Sequence, residues 1–297
     1  MTTIILNGKK AGIPSVREAI STFRKENENI QVRVTYEFGD VERFLFQAIK
    51  DGTTLIIIGG GDGTVNEVVN AMAKLKKEDR PDLAILPLGT ANDFATACEI
   101  PLNSLEALRF AKKESSIPVD IVKANNTYFI NMATAGFGAQ VTADTPIELK
   151  NFLGGGAYTL TGLLNAINFV PYKNSVATKN TPLKKQNFVV AAICNGRQAG
   201  GGQVLAPNAF INDGLLDVVS LSQFTLPDIP QVINEISFPS SSGIFIRYEQ
   251  TPWIESSSNK NIPVNLDGEP LNSKHIRFEV VPLAINLVLS KTCPCIK

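Results

Sequence analysis

The sequence of 297 residues predicts an α/β protein in which a doubly wound parallel sheet is followed by a β-sandwich. Up to about residue 115, apolar strand patterns alternate with helical patterns, which is typical of βαβ units. Beyond about residue 117, short strand patterns are separated by turn residues, which is typical of a sandwich. The chain length also favours two domains over one.

In the first half, strands are short apolar or alternating runs, and helices have apolar residues every three or four positions. The predicted strands are Thr3–Asn7, Ile30–Tyr36, Thr53–Ile58 and Leu83–Leu86. The predicted helices are Ser15–Lys25, Val41–Ile49 and Thr64–Leu75. Because parallel neighbours need crossover connections, this order predicts a Rossmann-like domain.

The second half begins with a predicted hairpin, in which Ile117–Lys123 and Tyr128–Met132 flank the turn residues Asn125 and Asn126. One or two helices are predicted in Pro146–Phe169, interrupted by three glycines. The further predicted strands are Phe188–Cys194, Leu215–Ser220, Ile244–Tyr248, Ile262–Leu266, Ile276–Val281 and Ala284–Leu289. Two polar segments are predicted to be exposed loops, Ser240–Gly243 and Ser256–Asn259.

The composition excludes several classes of function. Lys plus Arg and Asp plus Glu both number 28, so the formal net charge is zero and no nucleic-acid partner is expected. No apolar run approaches the roughly 20 residues of a membrane span, and no secretory signal is recognisable. We therefore expect a cytoplasmic protein without a transmembrane segment, whose contact with any membrane surface is peripheral.

The four cysteines are expected to be free thiols in a reducing compartment. Cys293 and Cys295 have the C-x-C spacing of some metal sites. The one histidine, His275, is distant in sequence, so this pair makes a poor zinc site. The scarcity of histidine also argues against a His-based triad and leaves acid–base chemistry to carboxylates.

A glycine-rich loop, Gly59–Thr64, follows an apolar strand and opens a predicted helix with Thr64 at its N-cap. Consecutive backbone N–H groups and a helix N-terminus together favour binding of a phosphate. The loop could instead be a tight turn without a ligand, but four glycines within five residues fit that poorly. It is not a Walker A loop, which needs a Lys, nor a dinucleotide fingerprint, which needs Gly at position 64.

Asp62 lies inside this loop and predicts a cation there. A carboxylate repels phosphate: two unit charges about 4 Å apart interact at about 4 kcal/mol even at an effective dielectric of 20. A divalent cation between them, Mg²⁺, would remove that repulsion. Asp62 could also cap the following helix.

Two further strand ends lie at the same predicted edge of the sheet, where doubly wound folds bind ligands. The second strand ends at Thr35, and the fourth runs into the segment Pro87–Ala95, which contains Thr90. Asn92 and Asp93 in that segment could bind a ligand or only cap a helix. The crevice between the strand ends is the predicted nucleotide site.

These motifs resemble a known family. Gly60–Thr64 with Asn66 and Glu67, followed by Pro87–Ala95, is similar to the diacylglycerol kinase catalytic domain, which sphingosine and ceramide kinases share, and within that group to bacterial YegS-like lipid kinases. The resemblance continues in order through Gly136–Gly138, Asn195–Gly202, Ala206–Ala209, Asn212–Leu215 and Leu266–Pro270. NAD kinases and phosphofructokinases have a similar glycine loop, so this loop alone does not identify the family. The complete series of motifs is far more specific.

The resemblance implies roles for individual residues. It implies ATP contacts from Thr35, Gly61, Asp62, Gly63, Thr64, Val65, Asn66, Glu67 and Thr90. It implies a Mg²⁺ site formed by two backbone carbonyls and one carboxylate, at Phe210, Asp213 and Leu215. It assigns the general base to Glu269. It also implies that residues 1–125 and about 285–297 form one domain, with 126–284 as the sandwich.

Alternatives remain for the acidic residues. Asn212–Gly214 could be an ordinary turn, and Asp267–Gly268 is a common hairpin signal. Asp267 could take the place of Glu269 as base, and the role of Asp217 is open.

The predicted function is ATP- and Mg²⁺-dependent phosphorylation of a lipid hydroxyl, with phosphatidylglycerol or diacylglycerol as acceptors. An apolar groove in or beside the second domain would have to admit acyl chains. Val141–Phe169 is a candidate lid or lipid contact, although core packing would also explain its apolar residues. An NAD-type kinase and a catalytically silent nucleotide or lipid sensor are the alternatives.

Overall fold

The structure is a computed structural model that describes residues 1–136, 167, 169–237 and 239–297. The helices predicted in Pro146–Phe169 and the candidate lipid contact Val141–Phe169 therefore fall almost entirely outside the described residues. Among the described residues, no helix is long and apolar enough to cross a membrane.

The first half contains a parallel sheet with strand order β4-β3-β1-β2. Its strands are β1 (Thr2–Leu6), β2 (Ile30–Val34), β3 (Leu55–Gly60) and β4 (Asp82–Pro87). Its helices are α1 (Gly8–Ala11), α2 (Pro14–Glu26), α3 (Asp40–Lys50), α4 (Asp62–Ala73), α5 (Asp93–Ala97) and α6 (Ser104–Lys113), with a 3-10 turn at Lys77–Asp79. The predicted alternation of strands and helices is confirmed.

Both faces of this sheet are covered, because successive side chains of each strand point to opposite faces. Ile4 and Ile57 pack with α2 and α6, whereas Ile5, Ile56 and Ile58 pack with α3 and α4. This two-sided burial explains the continuous apolar run of β3 and confirms the doubly wound arrangement.

The second half is a β-sandwich built from antiparallel pairs. Its strands are β5 (Ser115–Ala124), β6 (Thr127–Phe129), β7 (Met132–Gly136), β8 (Tyr172–Thr178), β9 (Lys184–Phe188), β10 (Val190–Cys194), β11 (Gln198–Ala199), β12 (Gln203–Val204), β13 (Leu216–Leu221), β14 (Ile246–Thr251), β15 (Trp253–Leu266) and β16 (Glu269–Leu289). A 3-10 turn at Leu226–Asp228 leads into α7 (Ile229–Ser237). The hairpin predicted around Asn125 is confirmed as β5 and β6.

The long strand β16 joins the two halves. Its first part pairs with β15, and its second part pairs with β5 and, through Leu287 opposite Leu83, with β4. Leu287 and Leu289 are buried in the core of the first half. This pairing supports the predicted return of the final segment to the first domain, although the boundaries at 125 and about 285 stay a prediction.

Several sequence expectations were wrong. Ser256–Asn259 is not a loop but part of β15, because Ser256 and Ser257 continue the ladder with β8 before a bulge. The two strands predicted at 276–281 and 284–289 are one strand with an irregularity after Val281. Helices α6 and α7 were missed, and α5 was raised only as one of two explanations of Asn92 and Asp93. Asn103 caps α6 by accepting from the N–H groups of Leu105 and Glu106, and this signal was available in the sequence.

The cysteines are all free and buried, and three of them converge. The sulphur atoms of Cys98, Cys293 and Cys295 lie within 4.8 Å of one another. The C-x-C pair is therefore not isolated, because the chain after β16 returns to the end of α5, where Cys98 lies.

Candidate nucleotide and phosphotransfer site

The glycine loop is the junction of β3 and α4. Gly61 is the N-cap residue, with an extended backbone (φ −94°, ψ −172°), and α4 begins at Asp62. The predicted N-cap Thr64 is therefore wrong, because the helix starts two residues earlier. Thr64 lies in the first turn, where its hydroxyl oxygen accepts a hydrogen bond from Asn7 Nδ2 at 3.2 Å.

Two glycine turns touch backbone to backbone at the strand edge. A Cβ atom added to Gly61 would lie 2.9 Å from Gly89 Cα, and one added to Gly89 would lie 2.6 Å from Gly61 Cα. The Asn92 side chain closes the second turn: its Oδ1 accepts from Gly89 N at 2.7 Å and its Nδ2 donates to Gly89 O at 3.0 Å. Asn92 therefore shapes the loop rather than capping α5 through its side chain.

We expect Gly89→Ala to destabilise the protein by about 1–3 kcal/mol, as forced overpacking does, and to weaken ATP binding, because the new Cβ meets backbone that cannot rotate away. Urea unfolding and calorimetric titration of ATP measure both effects. Gly12→Ala is the matched control, since nothing lies within 4 Å of a Cβ there. Equal stability and ATP affinity of the two variants would contradict the close contact.

Asp62 and Asp93 connect the glycine loop to the second half. The Asp62 carboxylate accepts from Asp93 N and Phe94 N, both at 3.3 Å, so it lies at the start of α5. Burial raises the pKa of Asp62, and the charge of Asp93 adds to this. Asp93 in turn accepts from the N–H groups of Gly201 (3.0 Å) and Gly202 (2.6 Å). These bonds hold the Asp62 carboxylate at the start of α5, and the cation predicted beside it stays a prediction.

The segment Asn195–Gly202 is fixed by side-chain amides. Asn195 Nδ2 donates to Ile130 O at 2.6 Å and to Asp120 O at 3.2 Å. A Cβ on Gly196 would lie 2.2 Å from Asn131 Oδ1, so the chain passes Asn131 only because residue 196 is glycine. This segment, which the resemblance singled out, joins the end of β10 to β5 and to the connection between β6 and β7.

Asp267 occupies the tip of the β15–β16 hairpin, where it and Gly268 both have positive φ (48° and 102°). Its buried carboxylate accepts from three consecutive backbone N–H groups, those of Ile130, Asn131 and Met132, at 2.8–3.2 Å. Asn66 Nδ2, on the first half of α4, donates to it at 3.3 Å. Asp267 is thus a structural link between the hairpin and the glycine-loop helix.

Glu269, two residues later, is exposed and faces the same helix. A Cβ added to Gly63 would lie 3.9 Å from Glu269 Oε1. Burial raises the pKa of Glu67, and the nearby charge of Glu269 raises it further. An accessible carboxylate therefore stands opposite the glycine bend, whereas the Asp267 carboxylate is occupied by four donors.

Because of Asp267, we expect the free energy of unfolding to fall as the pH rises from about 4 to about 6. Burial raises the pKa of this carboxyl from 3.8 to about 6, despite the four hydrogen bonds that lower it. In this window the folded protein binds more protons than the unfolded chain, so stability falls with rising pH, by on the order of 3 kcal/mol in full.

Urea unfolding of the wild type and of Asp267→Asn, at pH of about 4 and about 6, tests whether stability falls with rising pH because of Asp267. The difference in stability between the two proteins should change with pH. A difference that stays constant would contradict the raised pKa of Asp267.

The segment Phe210–Leu215 is a tight turn around Gly214, whose φ is 75°. Asp213 Oδ1 accepts from Leu215 N at 3.1 Å, and the buried Asp120 accepts from Gly214 N at 2.7 Å. The Arg197 guanidinium lies 5.3 Å from the centre of the Phe210 ring. Asp120 therefore holds the turn that presents the Asp213 carboxylate.

Asp217 adds a further buried acid to this region. It accepts from the Tyr248 hydroxyl and from Gln250 Nε2, while its Oδ2 has no hydrogen-bond partner among the described residues. Burial raises the pKa of both Asp120 and Asp217, and the charge of Asp213 raises both further. Asp213 therefore lies close enough to Asp120 and Asp217 to repel both, and a bound cation would reduce that repulsion.

The remaining predicted residues are distributed around the strand edge. Thr35 is half-buried and its hydroxyl oxygen accepts from Gly8 N at 3.2 Å, and Thr90 is exposed beside the second glycine turn. Thr64, Val65 and Asn66 are buried. The Phe210–Leu215 turn contacts Asp120, the Arg197 guanidinium and, through Ile211 N, the carbonyl oxygen of Cys295.

Sequence reasoning did not find the roles of Asp120, Asn131, Asn195 and Asp93 in shaping the site. The Asn195 side chain binds the backbone carbonyl oxygens of Asp120 and Ile130. The Asp93 side chain binds the Gly201 and Gly202 backbone and so links the two halves. One signal was available for Asp120, a carboxylate in the middle of the apolar run of β5. An acid in a strand with both neighbours buried needs hydrogen-bond partners, so it marks a fixed polar contact.

Comparisons with known proteins agree with this architecture. Residues 2–124 match the family model "Diacylglycerol kinase catalytic domain", and residues 131–289 match "YegS C-terminal NAD kinase beta sandwich-like domain". A protein of Shewanella frigidimarina named "Probable lipid kinase YegS-like" is 50% identical over 99% of this chain and 95% of its own length. A protein of the same name from Chromohalobacter salexigens is 45% identical over 96% and 92%.

A solved structure shares the fold. The crystal structure described as a diacylglycerol kinase from Bacillus anthracis str. Sterne superposes with a TM-score of 0.73 over 98% of this chain and 97% of that one, at 24% identity. The two family models together cover most of the chain, and the curated relatives match it nearly end to end. The chain belongs to the diacylglycerol kinase catalytic domain family, in its YegS-like lipid kinase group.

Proposed function

We propose that the protein is an ATP- and Mg²⁺-dependent lipid kinase that transfers the γ-phosphoryl group to a lipid hydroxyl. The observation that carries this proposal is the pair of acids on the β15–β16 hairpin. The Asp267 carboxylate accepts hydrogen bonds from four donors, whereas Glu269 is exposed opposite the glycine bend at Gly63.

ATP fits the edge formed by the two glycine turns. Backbone N–H groups at the start of α4 and the helix N-terminus favour a phosphate there. Gly61 and Gly89 pack too closely for side chains, which leaves a surface of bare backbone. Thr35 follows β2 and Thr90 follows β4, with β1 and β3 between them, and the two residues would contact the nucleotide from either side.

Glu269 is the proposed general base. Its carboxylate would accept the proton of the lipid hydroxyl as that oxygen bonds to the γ-phosphorus and the bond to the β–γ bridging oxygen breaks, releasing ADP. Asp267 orients the hairpin, and Asn66 couples it to α4, so that the base is held against the phosphate site. These are positioning roles, because Asp267 and Asn66 are both buried and their side chains are hydrogen-bonded to each other.

The Phe210–Leu215 turn fits Mg²⁺. The donors would be the Asp213 carboxylate and the carbonyl oxygens of Phe210 and Leu215, an all-oxygen set that this ion prefers. The neighbouring Asp120 and Asp217, with one unpartnered buried oxygen, add negative charge. Bound Mg²⁺ would neutralise charge on the phosphates.

A cavity among β7, β8, β9, β10, β13, β14, β15 and β16 supports a lipid acceptor. Its volume is about 520 Å³, within the range of small-molecule pockets. Its apolar walls include Val176, Phe188, Ile193, Ile254 and Phe278, and cationic side chains line it as well, at Lys184, Arg247 and Lys274. The proposed acceptors are phosphatidylglycerol and diacylglycerol. The apolar walls suit the acyl chains of both, and the cations suit the anionic headgroup of phosphatidylglycerol. The enzyme would act from the cytoplasm at the membrane surface.

The test is transfer of labelled γ-phosphate from ATP to a total lipid extract, with the labelled product identified by mass spectrometry. Parallel reactions use NAD as acceptor and omit Mg²⁺. We expect Mg²⁺-dependent labelling of a lipid and none of NAD. Labelling of NAD alone would favour the NAD-type kinase, and ATP binding without any labelled product would favour the sensor.

A further inference from the structure

A cluster of three buried thiols lies outside the phosphotransfer site. Cys98 follows the last residue of α5, and Cys293 and Cys295 follow β16. Their exposed fractions are 0%, 4% and 0%, and their sulphur atoms lie within 4.8 Å of one another. Segments distant in sequence thus bring three soft ligand atoms to one point.

We propose that Cys98, Cys293 and Cys295 form a binding site for a soft metal ion such as Zn²⁺. Thiolates about 2.3 Å from a tetrahedral zinc ion lie about 3.8 Å from one another. The sulphur atoms, all within 4.8 Å of one another, need at most about 1 Å of closure to reach that value. A disulfide uses two sulphur atoms, whereas a metal site uses the third as well.

The surroundings suit thiolate ligands. Arg197 donates from Nη2 to the carbonyl oxygen of Pro294, between the two tail cysteines, and from Nε to Ala209 O at 2.9 Å. Its positive charge offsets part of the negative charge that three thiolates bring. Zn²⁺ prefers four ligands, and Ala97 O, 3.1 Å from Cys295 Sγ, or an exogenous ligand would complete the set.

Such an ion would link the chain after β16, through Cys293 and Cys295, to the end of α5, through Cys98. Cys295 O accepts from Ile211 N at 2.8 Å, next to the proposed cation turn. Cys98 follows the helix whose Asp93 binds the Gly201–Gly202 backbone. The site would therefore stabilise the join between three segments without touching substrate.

The test uses full-length protein produced with added Zn²⁺ and purified under a phosphine reductant. Elemental analysis gives metal content, and Co²⁺ exchange gives a thiolate-to-cobalt charge-transfer band. We expect about one ion per chain in the wild type, as for a closed structural site. Cys98→Ser and Cys293→Ser should each weaken Zn²⁺ binding at least about tenfold, since loss of a ligand costs no less than loss of a second-shell partner.

Cys194→Ser is the matched control, because Cys194 is also buried and free but lies in β10 outside the cluster. It should retain the wild-type metal content. Wild-type protein without Zn²⁺, or no charge-transfer band with Co²⁺, would each overturn the proposal. If the variants do not fold, the wild-type metal content and cobalt spectrum decide it alone.

Discussion

Glu269→Gln is expected to lower kcat for lipid phosphorylation by on the order of 10²-fold or more while ATP still binds. The amide keeps the size and exposure of the side chain but cannot accept the proton of the lipid hydroxyl. The Asp267 contacts that position the hairpin stay intact, because residue 269 makes none of them. Steady-state rates with lipid micelles and calorimetric titration of ATP measure the two quantities.

Glu279→Gln is the control for this change, since Glu279 lies on the same strand and is exposed. Its ion pair with Arg277, at 3.2 Å, is a surface contact whose loss costs at most about 1 kcal/mol. It should leave kcat unchanged. Full activity of Glu269→Gln would show that another group accepts the proton.

Asp213→Asn is expected to raise the Mg²⁺ concentration for half-maximal activity at least about tenfold, because it removes the one charged ligand of an all-oxygen site. The turn itself should persist, since Asp120 still binds Gly214 N and the new amide oxygen can accept from Leu215 N. Titration of Mg²⁺ at fixed ATP measures this shift, and chelation of Mg²⁺ should abolish activity of both proteins.

Asp79→Asn, an exposed acid in the 3-10 turn before β4, is the control and should leave the Mg²⁺ dependence unchanged. An Asp213→Asn variant with wild-type Mg²⁺ dependence would place the cation elsewhere. Asp62 would then need to be reconsidered, although its carboxylate is already bound to the first turn of α5.

The first half was predictable because local pattern and burial agree there. Ile56, Ile57 and Ile58 are all buried, so the apolar run of β3 indicates a parallel strand with both faces covered. The second half was predictable only in outline. β15 and β16 are much longer than their apolar stretches, because polar residues such as Ser256 are held in the ladder by neighbouring strands rather than by their own preference.

The sequence predicts residues for the candidate site but not the connections between them. The glycine loop is predicted from its motif and Glu269 from the resemblance, and their roles stay predictions. Hydrogen bonds that join distant segments, such as Asn66 to Asp267 across 201 positions, have no local signature. The convergence of Cys98 with the C-x-C pair was invisible for the same reason.

The central claim is that ATP phosphates bind at the glycine bend, opposite Glu269. A crystal structure with Mg²⁺ and a non-hydrolysable ATP analogue tests it most directly. We expect the triphosphate against the backbone of Gly61–Thr64 and the γ-phosphate on the side facing Glu269. A nucleotide bound elsewhere, with the Gly61 and Gly89 turns closed to it, would contradict the account.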